Sequence, residues 1–212
     1  RLEAYELAHL NDADLLAPIS PKDAKKYEEF GCKLPTKVTP AGINVSEFDT
    51  APKVEKEKNS IYCLGALDWA PNIEGLNWFI KNVWKPLHQK HPDWTFYIAG
   101  RNGSSSFLNK KIDGVKIVGE VEDAKEFMAS KSLNVVPLLS GSGMRIKIIE
   151  AMAMGKTVIA TSVAAEGIQY NKGENILIAD TPEQFREHLE KCMDRKRYAE
   201  SIGTSARDFV ME

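Results

Sequence analysis

The sequence predicts an α/β protein in which a parallel β-sheet carries helices on both of its faces. Two observations lead to this fold class. From residue 60 onward, short apolar runs alternate with segments of helical spacing, as they do when helical crossovers join parallel strands. Several of the runs also end at a glycine or a proline, residues that are typical of the turn after a strand.

The predicted elements follow one another regularly after residue 60. Strands are expected at 61–64, 94–99, 115–118, 133–136, 157–160 and 176–179, and helices at 73–88, 124–129, 146–154, 182–193 and 198–210. Four of the strand ends are followed by Gly65, Gly100, Gly119 and Pro137. One such residue is an ordinary turn residue, whereas several at the same sheet edge favour a ligand cleft there.

Residues 1–50 show a different pattern. They predict a first helix, a short strand at 13–19, a helix from Pro21 to about Phe30 that Ser20 caps, and an extended piece at 38–43. Residues 51–59 are polar and charged and contain a proline, so we expect a linker there. The chain opens at Arg1 without a methionine and within a helical pattern, from which we expect an excised fragment of a longer protein.

Composition excludes several classes of function. Lysine and arginine number 28 and aspartate and glutamate 30, so no basic excess indicates a nucleic-acid partner. Three widely spaced cysteines and four scattered histidines predict neither a disulfide framework nor a metal site. No apolar run approaches the ~18 residues of a membrane-spanning helix. These features are typical of a cytoplasmic protein with reduced thiols.

The most informative segment lies between the strand at 133–136 and the helix that follows it. A loop of small residues, Ser140-Gly-Ser-Gly143, leads into the helix, and Arg145 and Lys147 are expected in its first turn. Unpaired N–H groups and the positive end of the dipole make a helix start an anion site. The two cations suit a diphosphate. Neither the P-loop pattern nor the dinucleotide fingerprint is present.

Glu150 lies within a helix that is otherwise apolar nearly all round. Two readings stay open for its carboxylate: an ion pair with Lys147 three residues earlier, or a hydrogen-bond acceptor for ligand hydroxyls. Asp68 likewise either contacts a ligand or caps its turn. Trp69 and Trp78 are candidates for lining a cleft, although packing in the core is favoured for Trp78.

The stretch from Gly141 through GSGMRIKIIEAMAMGKTVIAT to Thr161, followed by Ala165-Glu-Gly167, resembles the donor-site signature of group 1 glycosyltransferases of family 4. Residues 64–72 (LGALDWAPN) are similar to that family's first strand and loop, and 117–121 (IVGEV) to its base-side loop. Residues 14–48 resemble the end of the amino-terminal domain. The resemblance implies a Rossmann-like sheet that is the carboxyl-terminal half of a GT-B fold, at residues 60–212, with residues 1–50 as a remnant of the other half.

The resemblance also implies roles for individual residues. Arg145 and Lys147 would be the catalytic residues, since they would bind the donor phosphates and offset the charge of the leaving group. Glu150 would bind the ribose, Gly65 would let the diphosphate approach, and Val121 would contact the base through its backbone. The expected donor-binding set is completed by Asp68, Asn72, Gly119, Ser140, Gly141, Ser142, Gly143 and Met144.

The sequence departs from the family in two places. Ser142 stands where the first glutamate of the family's pair would fall, so no carboxylate is supplied there. Ala66 and Asn72 stand near the places of the usual arginine and lysine after the first strand. The phosphate charge is therefore expected to be met by Arg145 and Lys147.

The expected function is that of a retaining glycosyltransferase, which transfers a sugar from a nucleoside-diphosphate-sugar donor to a saccharide or lipid-linked acceptor in polysaccharide biosynthesis. The resemblance implies no metal and no cofactor beyond this substrate. It also implies that the missing amino-terminal domain is a partner, that this fragment is inactive alone, and that the full-length protein associates peripherally with membranes. The alternatives are a nucleotide-binding module without turnover and a GT-B-like nucleotide-sugar epimerase, which needs acidic and histidine groups that the sequence does not offer.

Overall fold

A computed structural model describes residues 2–48, 54–141 and 143–212, with the side chains of Leu2 and Glu3 excepted. Six strands form one sheet in the order β3-β2-β1-β4-β5-β6, and every neighbouring pair is parallel. The strands are β1 (Ser60–Leu64), β2 (Thr95–Ala99), β3 (Val115–Gly119), β4 (Leu133–Val136), β5 (Thr157–Ala160) and β6 (Leu177–Ile178). The predicted Rossmann-like parallel sheet is confirmed.

The strand order reverses at β1, which lies between β2 and β4. The chain builds the sheet outward from β1 to β3 and then returns to add β4, β5 and β6 on the other side. The connections that leave β1 and β4 therefore run to opposite faces and open a crevice between their carboxyl ends. In open α/β sheets this switch point is where ligands bind.

Helices cover both faces of the sheet. The helices α1 (Leu2–His9) and α2 (Pro21–Glu29) precede the sheet, and those that follow its first strand are α3 (Ala70–Phe79), α4 (Lys85–Lys90), α5 (Ser105–Leu108), α6 (Ala124–Ser130), α7 (Ile146–Ala153), α8 (Pro182–Asp194) and α9 (Lys196–Met211). Alternate strand residues serve the two cores: Ile61 packs with Phe79 and Phe185 on one face, and Tyr62 packs with Phe127 on the other. Fully buried strands need such apolar cover on each side.

One long helical run replaces the expected helix 73–88. It comprises α3, a π-helical turn at Ile80–Trp84 and α4. Pro86 has no N–H to donate to the carbonyl of Asn82 four residues earlier. Arg186 Nη1 donates to that carbonyl instead, at 2.6 Å, and so satisfies it. This bond joins α8 to the long helical run.

The amino-terminal segment departs most from the sequence prediction. Helix α2 begins as expected, because the Ser20 hydroxyl accepts a hydrogen bond from the Asp23 amide at 3.1 Å. The predicted strand 13–19 is reduced to one parallel bridge between Leu16 and Thr36, and 38–43 is irregular. An extended apolar run becomes a strand only where a neighbour completes its ladder. Short helices at 45–48 and 105–108 were not predicted.

The division into an amino-terminal remnant, a linker and residues 60–212 stays a prediction. Arg1, residues 49–53 and Ser142 lie outside the described residues. In the described part of the linker, the Glu57 amide donates to the Ser130 carbonyl at 2.8 Å, so this stretch packs on the end of α6. Across the described parts of the chain, no helix has the length and apolar character that crossing a bilayer requires.

A close backbone contact sets the position of α3 against β4. A Cβ added at Gly75 would lie 2.2 Å from the Pro137 carbonyl oxygen, a separation that side chains do not tolerate. Glycine at this position therefore lets the helix after β1 touch the loop after β4. The two loops that border the crevice are held together through this contact.

We expect Gly75→Ala to lower the free energy of unfolding by about 1–3 kcal/mol, because the added methyl group overpacks the contact with Pro137. This loss outweighs the ~1 kcal/mol that alanine gains over glycine in helix propensity. Urea denaturation measures the change. Gly42→Ala is the matched control, since nothing lies within 4 Å of its added Cβ, and equal stability of the two variants would contradict the contact.

Lys156 is a buried amine at the start of β5. Its Nζ donates to the carbonyls of Ala129 at 2.9 Å and Lys131 at 2.5 Å, at the end of α6. Burial, together with the positive charges of Lys56 and Lys131, lowers the pKa of Lys156 to about 8. The folded protein therefore releases this proton more readily than the unfolded chain does.

Between pH values of about 8 and 10.5, the free energy of unfolding of the unsubstituted protein should rise relative to that of Lys156→Met. Over this pH range the unfolded chain holds a proton on Lys156 that the folded protein has lost. The expected relative gain is on the order of 1–3 kcal/mol. Denaturant unfolding of both proteins at several pH values measures it. Lys90→Met, at an exposed lysine, should show no such trend, and a pH-independent difference at Lys156 would refute the lowered pKa.

Candidate functional site

Two loops meet at the switch point of the sheet. The loop after β1 carries Trp69 and leads into α3, and the loop after β4 carries Ser140 and Arg145. The Ser140 hydroxyl donates to Glu74 Oε2 at 3.1 Å, and the Arg145 guanidinium carbon lies 5.0 Å from the centre of the Trp69 ring. Residues predicted from two separate segments of the sequence thus border one crevice.

The floor of the crevice on the β1 side is built from backbone. A Cβ at Gly100 would lie 1.7 Å from the Gly65 carbonyl oxygen, so the loops after β1 and β2 touch. Asn72 Nδ2 donates to the Ala66 carbonyl at 2.8 Å and packs close to Gly65. Asn72 therefore holds the shape of this loop with the amide that was expected to bind a ligand.

Asp68 is exposed beside this floor, and one of its oxygens accepts a hydrogen bond from Asn102 Nδ2 at 2.9 Å. This contact crosses from the loop after β1 to the loop after β2. Two roles were left open for Asp68, a cap of its own turn and a contact with a ligand. The hydrogen bond from Asn102 is neither of these, because it joins the loop after β1 to the loop after β2. The exposed carboxylate still faces solvent near the crevice.

The loop after β4 turns through glycines. Gly141 has φ +117° and Gly143 has φ +89°, conformations that favour glycine. The helix begins at Ile146, with Arg145 as its N-cap residue, so the expectation that both cations lie in the first turn is wrong for Arg145. Arg145 Nη1 donates to the Gly143 carbonyl at 2.8 Å. Ser142 lies outside the described residues, so its expected role stays a prediction.

Arg145 lies in a partly buried position with an acidic neighbour. Burial lowers the pKa of its guanidinium, and the negative charge of Glu166 opposes that change. Arginine remains a cation at any ordinary pH. Glu166 also pairs with Lys22 of α2. A Cβ at Gly167 would lie 3.7 Å from Met144 Cβ, which places the Glu166 loop against the predicted residue Met144.

Lys147 and Glu150 form an ion pair on the first turns of α7. Lys147 Nζ lies 2.6 Å from Glu150 Oε2, and the side chains are 50% and 18% exposed respectively. The ion pair with Lys147, one of the two roles left open for Glu150, is therefore present in the structure. Burial raises the pKa of the Tyr62 hydroxyl, and the charges of Cys63 and Glu150 raise it further, so Tyr62 lies within electrostatic reach of this carboxylate.

The predicted base-side residues lie farther along the same sheet edge. Gly119 ends β3 with φ +78°, and its carbonyl accepts the Gly100 amide at 2.7 Å. Val121 packs partly against the core cluster of Tyr62 and Phe127. Because β2 separates β3 from β1, these residues lie two strands away from β1 and the switch point.

Two residues of the crevice were not among the predicted binding residues. Trp69 was only weighed as a cleft residue, yet it is 38% exposed and contacts Arg145, whereas Trp78 packs edge-on against Phe185 in the core. Glu166 belongs to the Ala165-Glu-Gly167 motif but not to the predicted binding residues. Both residues come close to Arg145 through contacts between distant segments, which a local sequence pattern does not reveal.

Comparison with known proteins gives the family. A family model described as glycosyl transferases group 1 matches residues 58–195. The chain is 28% identical over 201 residues to an uncharacterized 44.6 kDa protein in the cps region of Klebsiella pneumoniae, covering 90% of this chain and 50% of that protein. It is 29% identical over 134 residues to a phosphatidyl-myo-inositol mannosyltransferase of Mycolicibacterium smegmatis, covering 59% and 34% respectively.

A solved structure shows the same fold. HepE of Anabaena in complex with UDP-glucose superimposes with a TM-score of 0.75 at 17% identity, over 99% of this chain and 64% of HepE. The chain spans about half the length of the Klebsiella relative. The parallel sheet with its 3-2-1-4-5-6 order matches one half of a GT-B enzyme. From the family match over residues 58–195, this chain belongs to the group 1 glycosyltransferases.

Proposed function

We propose that this chain supplies the donor site of a retaining glycosyltransferase, which moves a sugar from a nucleoside diphosphate to a saccharide or lipid-linked acceptor. The observation that carries the proposal is the placement of Arg145. It stands at the N-cap of α7, at the switch point of the sheet, where the loops after β1 and β4 meet. Family membership supplies the reaction class.

The phosphate groups have a site at the start of α7. The first N–H groups of a helix lack partners within it, and the helix dipole adds positive potential at the same end. Arg145 adds a planar fork of donors and Lys147 a point charge. Glycines at 141 and 143 leave the backbone open to close approach.

The same cations act on the reaction. When the bond between sugar and diphosphate breaks, negative charge develops on the departing nucleoside diphosphate. Groups that are already in place before the reaction stabilise this charge in the transition state more than they stabilise the ground state. This difference lowers the barrier. We assign this role to Arg145 and Lys147, and the proposal needs neither a metal ion nor another cofactor.

The nucleoside has candidate contacts deeper in the crevice. We assign the ribose to Glu150, whose carboxylate is partly exposed beside Lys147. Lys147 is then shared between this carboxylate and a phosphate. The base is assigned to the outer end of the crevice, at Gly119 and Val121. An extended nucleoside diphosphate would thereby run along the carboxyl edge of the strands.

The relatives support the choice of substrates. HepE is a protein bound to UDP-glucose, and the mycobacterial relative is named for mannosyl transfer and phosphatidyl-myo-inositol. We therefore propose a nucleotide-sugar donor and a saccharide or lipid-linked acceptor. We also propose that transfer depends on an amino-terminal domain larger than residues 1–50, that the enzyme works in the cytoplasm, and that the full-length protein contacts the membrane surface.

Loss of charge at the phosphate site should weaken nucleotide binding. We expect Arg145→Gln and Lys147→Gln each to reduce UDP affinity by about 1–3 kcal/mol, the scale of charge-assisted hydrogen bonds, while binding of uridine changes little. Isothermal calorimetry measures both ligands. Lys196→Gln, at an exposed lysine of α9, is the control. Unchanged UDP affinity in both site variants would remove the phosphate assignment.

Replacement of the Glu150 carboxylate tests the ribose contact. Glu150→Gln also releases Lys147, so the informative quantity is the ratio of affinities for UDP and 2′,3′-dideoxy-UDP, in which the effect on phosphate cancels. We expect this ratio to fall about tenfold in the variant, because the carboxylate binds the hydroxyls more strongly than an amide does. A ratio equal to that of the native protein would place the ribose elsewhere.

A further inference from the structure

Trp69 is an exposed aromatic residue at the mouth of the crevice. Of the four tryptophans in the chain, Trp84 is fully buried, Trp94 is 9% exposed, Trp78 is partly buried and Trp69 is 38% exposed. Single exposed apolar residues are common on protein surfaces, so exposure alone indicates nothing. Its contact with the loop after β4 gives the residue a specific task.

The indole lies against the guanidinium of Arg145. The guanidinium carbon is 5.0 Å from the ring centroid, within the ~6 Å at which a cation is attracted to an aromatic face. A Cβ added at Gly141 would lie 2.8 Å from Arg145 Nη2 and 3.1 Å from Trp69 Cη2. Trp69, Arg145 and Gly141 therefore form one packed contact between the two loops.

The geometry of this contact suits anion binding. The ring attracts the guanidinium as a cation and accepts no conventional hydrogen bond from it, whereas phosphate binds along the guanidinium N–H edges. Arg145 also has an acidic neighbour in Glu166, which draws the guanidinium toward a different loop. Without the indole, the Arg145 side chain would spend more time near such competing groups. Nucleotide binding would then have to restore its position, which weakens affinity.

We propose that Trp69 is a positioning residue, whose indole holds the Arg145 guanidinium beside Gly141 and Gly143 for binding the diphosphate. The inference rests on the proposed function, since it assigns to Trp69 a role in the same phosphate site. Trp69 acts through Arg145, so removing the indole matters only while the guanidinium is present.

The test is a double-mutant cycle measured by calorimetry with UDP and uridine. Trp69→Leu should weaken UDP binding about 3- to 30-fold, the range of cation–π interactions, and change uridine binding less than twofold. Trp69→Phe, which keeps an aromatic face, should retain most of the affinity. In the Arg145→Gln background, Trp69→Leu should have no further effect on UDP, because the group it positions is absent.

The controls separate this inference from the proposed function. Tyr5→Leu replaces an exposed aromatic side chain on α1 and should leave UDP affinity unchanged. If Trp69→Leu does not fold, Trp69→Gln enters the same cycle. Native UDP affinity in Trp69→Leu, or an equal loss in that variant with and without Arg145, overturns the positioning role. If Arg145→Gln itself has no effect on UDP, the phosphate site of the proposed function fails as well.

Discussion

The crevice depends on two places where backbone touches backbone. Gly75 of α3 lies against the Pro137 carbonyl, and Gly100 lies against the Gly65 carbonyl, so close that an added Cβ would come within 2.2 and 1.7 Å of those oxygens. These contacts set the loops after β1, β2 and β4 at their mutual distances. The stacking of Arg145 on Trp69 is possible only at that spacing, because cation–π attraction needs close contact.

Local patterns were sufficient for most of the sheet. Short apolar runs, four of them followed by glycine or proline, predicted all six strands, with β6 shorter than expected, since burial on both faces leaves a strong signal. The amino-terminal strand at 13–19 failed because a strand needs a neighbour and the sequence does not say whether one exists. The π-turn with the Asn82–Arg186 bond is equally invisible to local pattern, since its partners are far apart in sequence.

The site shows the same division. The helix start, its glycines and the Lys147–Glu150 spacing could be predicted, because they belong to one continuous segment. The predicted helix start at residue 146 is confirmed, and with this start Arg145 stands at the N-cap and not in the first turn. The side-chain amide of Asn72 donates to the Ala66 carbonyl of its own loop, and the expected part of Asn72 in donor binding stays a prediction. Trp69 and Glu166 reach Arg145 through space, and only coordinates bring them together.

The Lys22–Glu166 ion pair connects α2 to the loop beside Arg145. Glu166 divides its negative charge between a lysine of the amino-terminal segment and an arginine of the crevice. Displacement of α2 would leave that charge to Arg145 alone and make the loop a stronger competitor for an incoming anion. Because linkage is reciprocal, any anion affinity that depended on this shared charge would be matched by an equal change in the free energy that holds α2. The Glu166 carboxylate therefore belongs to the electrostatic surroundings of both the crevice and the amino-terminal helix.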